Sequence, residues 1–117
     1  MKVVLTGGGT GGHIYPAISV GQALQSRESG VDLLFVGSTH GPESRLVSEA
    51  GMDFVGIPSA KLTKSVSLSN LGALAKLFAG VFRARRVICD FGPDVVVGTG
   101  GYTTAAVLLA ARSLGCR

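Results

Sequence analysis

This chain of 117 residues has no tryptophan, only two cysteines and an aromatic share of 6%. Cys89 and Cys116 stand far apart and form no Cys-x-x-Cys pair. That leaves no disulfide framework to read, and reduced thiols in a cytosolic setting are the expectation. Both cysteines read as inert small hydrophobes. Long apolar runs are missing too. The best, Leu71 to Phe82, is interrupted by Lys76 and falls short of the ~20 residues that span a bilayer. Val3 to Leu5 is too short for the core of a signal peptide, and glycines follow at once. Asp and Glu together number 7, with no Asp-x-Asp-like pair and no cluster at metal-ligand spacing. Neither a metal nor a cofactor is expected. No low-complexity segment or linker divides the chain. What remains is one domain's worth of sequence, with a 46% hydrophobic share that suffices for a core.

Glycine is what the chain has in plenty, 18 in all. Five of them occupy six positions in LTGGGTGGHIYPA, residues 5–17, between a β-branched run and a helical stretch. Glycine is costly to order, so such a cluster points to a backbone that must come close to something.

Strand and helix signals alternate from end to end. Residues 2–6 (KVVLT), 31–37 (VDLLFVG), 53–57 (DFVGI) and 93–98 (PDVVVG) read as strands. The second is a continuous apolar run, as expected of a strand buried on both faces. Helices are expected over 13–27, with Pro16 in the first turn, then over 41–51, 69–90 and 103–114. Residues 59–66 form a polar loop carrying Lys61 and Lys64. Such alternation predicts a parallel α/β sheet covered on both faces by right-handed crossovers. After Gly115 the pattern calls for another strand, and the chain reads as a piece of a longer protein.

Three kinds of loop fit the glycine cluster at first sight. A nucleotide-hydrolysing P-loop requires Lys and Ser/Thr where His13 and Ile14 stand, and that reading fails. A dinucleotide fingerprint matches Gly7, Gly9 and Gly12, but the acid that should end the second strand is absent. Asp32 opens that strand instead, at the wrong end of the sheet. The third reading uses His13, Pro16 and a second glycine loop, Gly98-Thr99-Gly100-Gly101-Tyr102, after the fourth strand. Backbone N–H groups at a helix start face a diphosphate well, and a histidine beside them can take a proton from an acceptor hydroxyl. Both loops open on the carboxyl edge of the sheet, where ligands of open α/β folds bind.

GGTGGHIYPA, GSTHGPESRLV and FGPDVVVGTGGY, in that order and spacing, resemble the N-terminal half of the MurG-type glycosyltransferases of family 28. The resemblance covers essentially the whole chain. It implies a Rossmann-like parallel sheet, the acceptor-side domain of a two-domain GT-B enzyme, incomplete at its C-terminal end and lacking the donor-binding domain. It implies transfer of N-acetylglucosamine from UDP-N-acetylglucosamine to the undecaprenyl-linked muramoyl-pentapeptide of peptidoglycan synthesis. By the same resemblance Thr10, Gly11 and Gly12 lie beside the donor's sugar and phosphates. His13 is the candidate base or diphosphate contact, and Gly100, Gly101 and Tyr102 help seat the acceptor diphosphate. After Tyr102 the family often has a small residue and a proline, whereas this chain has Thr103-Thr104-Ala105-Ala106. Another GT-B enzyme acting on a glycolipid or small aglycone, and a non-catalytic membrane-recruiting subunit, remain open as alternatives.

Away from the loops, His40 and Glu43 read as structural, the latter in the first turn of a helix. The long third helix admits two readings. Its apolar residues either all belong to the core or, with Leu74, Lys76, Phe78, Phe82, Arg83 and Arg86, rest on an anionic leaflet. The formal charge of +4 is a mild surplus concentrated near this helix. No recognition motif accompanies it, so nucleic acid is not an expected partner. A cytoplasmic protein, peripheral on the inner face of the cell membrane, is the expected setting.

Overall fold

Four β-branched runs, each followed by a helical stretch, fold as the alternation predicts. The computed structural model describes residues 1–8, 11–39, 41–58 and 68–116. In chain order these form β1 (Lys2–Thr6), α1 (Gly11–Arg27), β2 (Asp32–Ser38), α2 (Glu43–Glu49), β3 (Asp53–Ile57), α3 (Leu68–Phe91), β4 (Val95–Gly98) and α4 (Tyr102–Ser113). The strands make one parallel sheet in the order β3-β2-β1-β4.

Strand alternation sorts the core into two layers. Val3, Leu5, Leu33 and Phe35 pack on one face against Ile14, Ala17 and Ile18 of α1 and Val47 of α2. Val4, Leu34, Val36 and Val96 pack on the other against Ala84, Val87 and Ile88 of α3 and Ala106, Val107 and Ala110 of α4. This explains why Leu33 to Val36 of β2 are apolar at every position rather than at every second one. The amino edge is pinned separately. The Lys2 amide donates to the Asp94 carboxylate at 2.8 Å, and the Asp94 amide to the Lys2 carbonyl at 2.7 Å. The Lys2 ammonium reaches the Phe91 carbonyl at 3.2 Å and lies 5.2 Å above the Phe91 ring.

Two boundaries differ from expectation in ways that matter. The first helix starts at Gly11, so Pro16 sits in its second turn rather than its first. Its missing N–H leaves the Gly12 carbonyl without the usual i+4 donor. The fourth strand begins at Val95, because Pro93 cannot donate and pairing opens with the Asp94 amide.

The third helix resolves the choice between core and surface residue by residue. Leu77, Val81, Ala84, Val87 and Ile88 turn inward. Leu74, Phe78 and Phe82, four residues apart, form one outward stripe with 41%, 62% and 69% of their surface exposed. No described helix is long and apolar enough to cross a membrane.

Candidate functional site

The sheet order creates a crevice that strand prediction alone does not locate. From β1 the chain steps outward to β2 and β3, then returns to place β4 on the other flank of β1. Strand order therefore reverses between β1 and β4, and ligands of open α/β sheets lie beyond the carboxyl ends at such a point. Thr6 and Gly98 are the last paired residues there, and each strand runs directly into a glycine loop.

The two loops are bonded to each other. The Thr99 amide donates to the Thr6 carbonyl at 3.0 Å, and the Gly8 amide to the Gly100 carbonyl at 3.2 Å. The Thr99 hydroxyl donates to the His13 carbonyl, and the Thr104 hydroxyl to the Gly100 carbonyl at 2.8 Å. Glycine is needed on both sides of this joint. A Cβ on Gly7 would strike the Thr99 hydroxyl and the His13 carbonyl, and one on Gly101 would strike the Gly8 carbonyl. Gly100 and Gly101 also have φ of 124° and 100°, a region side chains avoid.

His13, third residue of α1, is half-buried. Its ring lies directly on Gly100, where a Cβ would come within 2.7 Å of Nδ1 and 2.9 Å of Cε1. The first turns of α1 and α4 start at this edge without any acidic residue, which leaves their positive ends available to an anion.

Of the residues singled out from sequence, His13, Gly11, Gly12, Gly100 and Gly101 thus share one edge with the backbone of Tyr102, which opens α4. Thr10, His40, Lys61 and Lys64 lie outside the described residues. Leu74, Phe78 and Phe82 stand apart on α3, with the exposed Arg86 one turn beyond Phe82 on the same stripe. Arg83, also exposed, lines a hollow with Arg86, Leu34, Val55 and Asp90. Asp32 opens β2 opposite Lys2, at the far edge from the glycine loops. It offers nothing to a ribose at the crevice.

Glu43 read from sequence as a structural residue in the first turn of a helix, and its depth was not foreseen. Its side chain is fully buried, and the other buried polar side chains among the described residues are Thr6, Thr103 and Thr104. All four lie beneath the loops. Gly41 and Gly37 near it in sequence are a local signal, but its contact with Gly8 is visible only in three dimensions.

An open parallel α/β sheet with two interlocked glycine loops at its switch point defines a Rossmann-like ligand-binding domain. The model of the glycosyltransferase family 28 N-terminal domain matches residues 3–117. The chain belongs to that family. It is 42% identical over 117 residues to the UDP-N-acetylglucosamine–N-acetylmuramyl-(pentapeptide) pyrophosphoryl-undecaprenol N-acetylglucosamine transferase of Alkaliphilus oremlandii, which covers 100% of this chain and 32% of that protein. The protein of the same name from Leuconostoc mesenteroides is 44% identical over 114 residues, with coverage of 97% and 31%. The crystal structure of Acinetobacter baumannii MurG superposes with a TM-score of 0.83 at 30% identity, covering 98% of this chain and 33% of that one. A UDP-GlcNAc 2-epimerase from Neisseria meningitidis shares the fold, with a TM-score of 0.67 at 22% identity. The chain spans about a third of the length of the curated relatives it matches.

Proposed function

We propose that this chain forms the acceptor-side half of a hexosyltransferase that moves N-acetylglucosamine from its UDP donor to the undecaprenyl-linked muramoyl-pentapeptide of peptidoglycan synthesis. The observation that carries this reading is the seating of the His13 ring on Gly100, which brings a base and the second glycine loop into one crevice. The names of the family 28 relatives support the substrate pair.

In this reading the acceptor's sugar hydroxyl attacks the anomeric carbon of the donor. His13 takes the hydroxyl proton as the bond from that carbon to the UDP oxygen breaks. Thr10 and the amides of Gly11 and Gly12 lie beside the donor's sugar and phosphates. Gly100, Gly101 and Tyr102 seat the acceptor diphosphate at the start of α4. A separate donor-binding domain neutralises most of the charge on the leaving UDP. The chain alone is therefore expected to form no product from labelled UDP-N-acetylglucosamine and lipid acceptor above a buffer blank. Robust turnover by residues 1–117 would place the chemistry elsewhere.

A polyprenyl-linked acceptor requires docking on the inner face of the cell membrane. The exposed stripe of Leu74, Phe78 and Phe82 suits an anionic leaflet, with the exposed Arg83 and Arg86 and the lysine at position 76 in the sequence of the same helix. Each basic residue near such a surface contributes about 1 kcal/mol, less at high salt. Replacing Lys76, Arg83 and Arg86 with glutamine is expected to weaken binding to anionic vesicles by roughly that amount per residue. Phe78→Ser is expected to weaken vesicle binding while changing stability by only about 0.5 kcal/mol, because the ring is largely exposed. Unchanged vesicle binding in both variants would remove the docking role.

A further inference from the structure

A fully buried carboxylate is expensive unless the structure uses it. Glu43 is such a group, and three glycines make room for it. A Cβ on Gly8 would collide with Oε1, and one on Gly41 with Oε2. A Cβ on Gly37 would lie 3.0 Å from the Glu43 Cβ. Thr103 Oγ1, in the first turn of α4, faces the same open side of Gly8 at 3.5 Å from the position a Cβ would take.

The carboxylate thus sits behind the first glycine loop, touching Gly8, whose amide bonds to the second loop. Gly8 donates its amide to the Gly100 carbonyl, Gly101 abuts the Gly8 carbonyl, and the His13 ring lies on Gly100. Contact runs without a gap from Glu43 through Gly8 and Gly100 to the imidazole.

We infer that Glu43 is a positioning residue, whose buried carboxylate holds Gly8 against Gly100 and so sets the place of the His13 ring in the crevice. This rests on the proposed function only in taking His13 as the working group. Glu43 itself is out of reach of any ligand in the crevice, because it is wholly covered. A residue needed only for bulk would be served by leucine or methionine at no desolvation cost. Gly8 and Gly41 leave room for the carboxylate oxygens themselves, which indicates that those oxygens matter.

The test uses the isotope-labelled 117-residue chain as parent, Glu43→Gln and Glu43→Asp. Glutamine keeps the size and exchanges one carboxyl oxygen for an amide nitrogen. Aspartate keeps the carboxyl group and withdraws it by one methylene. In Glu43→Gln the Gly8 amide is expected to exchange with solvent about tenfold faster or more. The ring C–H resonances of His13 are expected to move with it, while the amides of Leu34 to Val36 in β2 stay within about twofold of the parent. Aspartate is expected to recover part of the Gly8 protection. A folded Glu43→Gln chain with parental Gly8 exchange and unmoved His13 resonances would overturn the assignment. Exchange rising uniformly through the sheet, or loss of the folded spectrum in both variants, would also overturn it, by making Glu43 a support of the whole fold. These readouts need neither donor nor acceptor, so failure of the transfer reading would leave them standing.

Discussion

His13→Ala is expected to lower kcat by about 10²–10⁴-fold, the usual scale of a general-base contribution, while leaving the fold intact. The measurement calls for a chimera in which residues 1–117 replace the matching third of a full-length relative. The His13 side chain projects from the third position of α1, and its backbone carbonyl already accepts from the Thr99 hydroxyl. Removing the imidazole therefore leaves that loop bond in place. The ring's neighbour is glycine backbone, which has no side chain to collapse into the space. Melting within a few degrees of the parent is expected, since the side chain is only half-buried. A fall in kcat of less than about threefold, with an unchanged pH profile, would make His13 a structural residue.

Gly101→Ala is expected to be the most damaging of the small substitutions for stability. Gly101 stands at φ 100° and ψ 172°, a region open essentially to glycine alone. The added methyl would also strike the Gly8 backbone carbonyl, which cannot swing aside like a flexible side chain. Backbone strain of this kind costs about 1–3 kcal/mol, and the contact adds to it. A loss of about 3 kcal/mol corresponds to roughly 10 °C in Tm for a domain of this size. Calorimetry of the 117-residue chain reads it directly. A melt within about 2 °C of the parent would mean that the two loops part readily, and the interlocked crevice would lose its support.

The layout of elements was legible along the chain because each signal is local. Val3-Val4-Leu5 and Leu33 to Val36 are apolar on every residue, which marks strands covered on both faces. Pro58 ends β3 because it cannot extend a ladder, whereas β4, expected to begin at Pro93, opens two residues later. The position of Pro16 was misjudged by one turn, because two glycines joined the helix ahead of His13. Helix propensity argues against that start, and the bonds tying Gly8 and the His13 carbonyl to the second loop oppose it successfully.

Composition and spacing of residues were enough to establish a parallel α/β domain, the glycine loops after β1 and β4, and His13 as the group to examine. All of these follow from properties a residue carries with it: β-branching, a missing side chain, a ring nitrogen. Three further matters depended on how the chain folds back on itself. Returning from β3 across the sheet put β4 beside β1, and only that adjacency turned two separate loops into one bonded crevice. Packing of α3 on the sheet put Leu77 and Val81 inside but left Phe78 and Phe82 outside, though all four are equally apolar in sequence. Glu43 looked like a helix's first acidic residue until the fold brought Gly8, from the loop after β1, against its carboxylate. Burial and long-range contact are properties of pairs of residues distant in the chain, so no single stretch of sequence contains them.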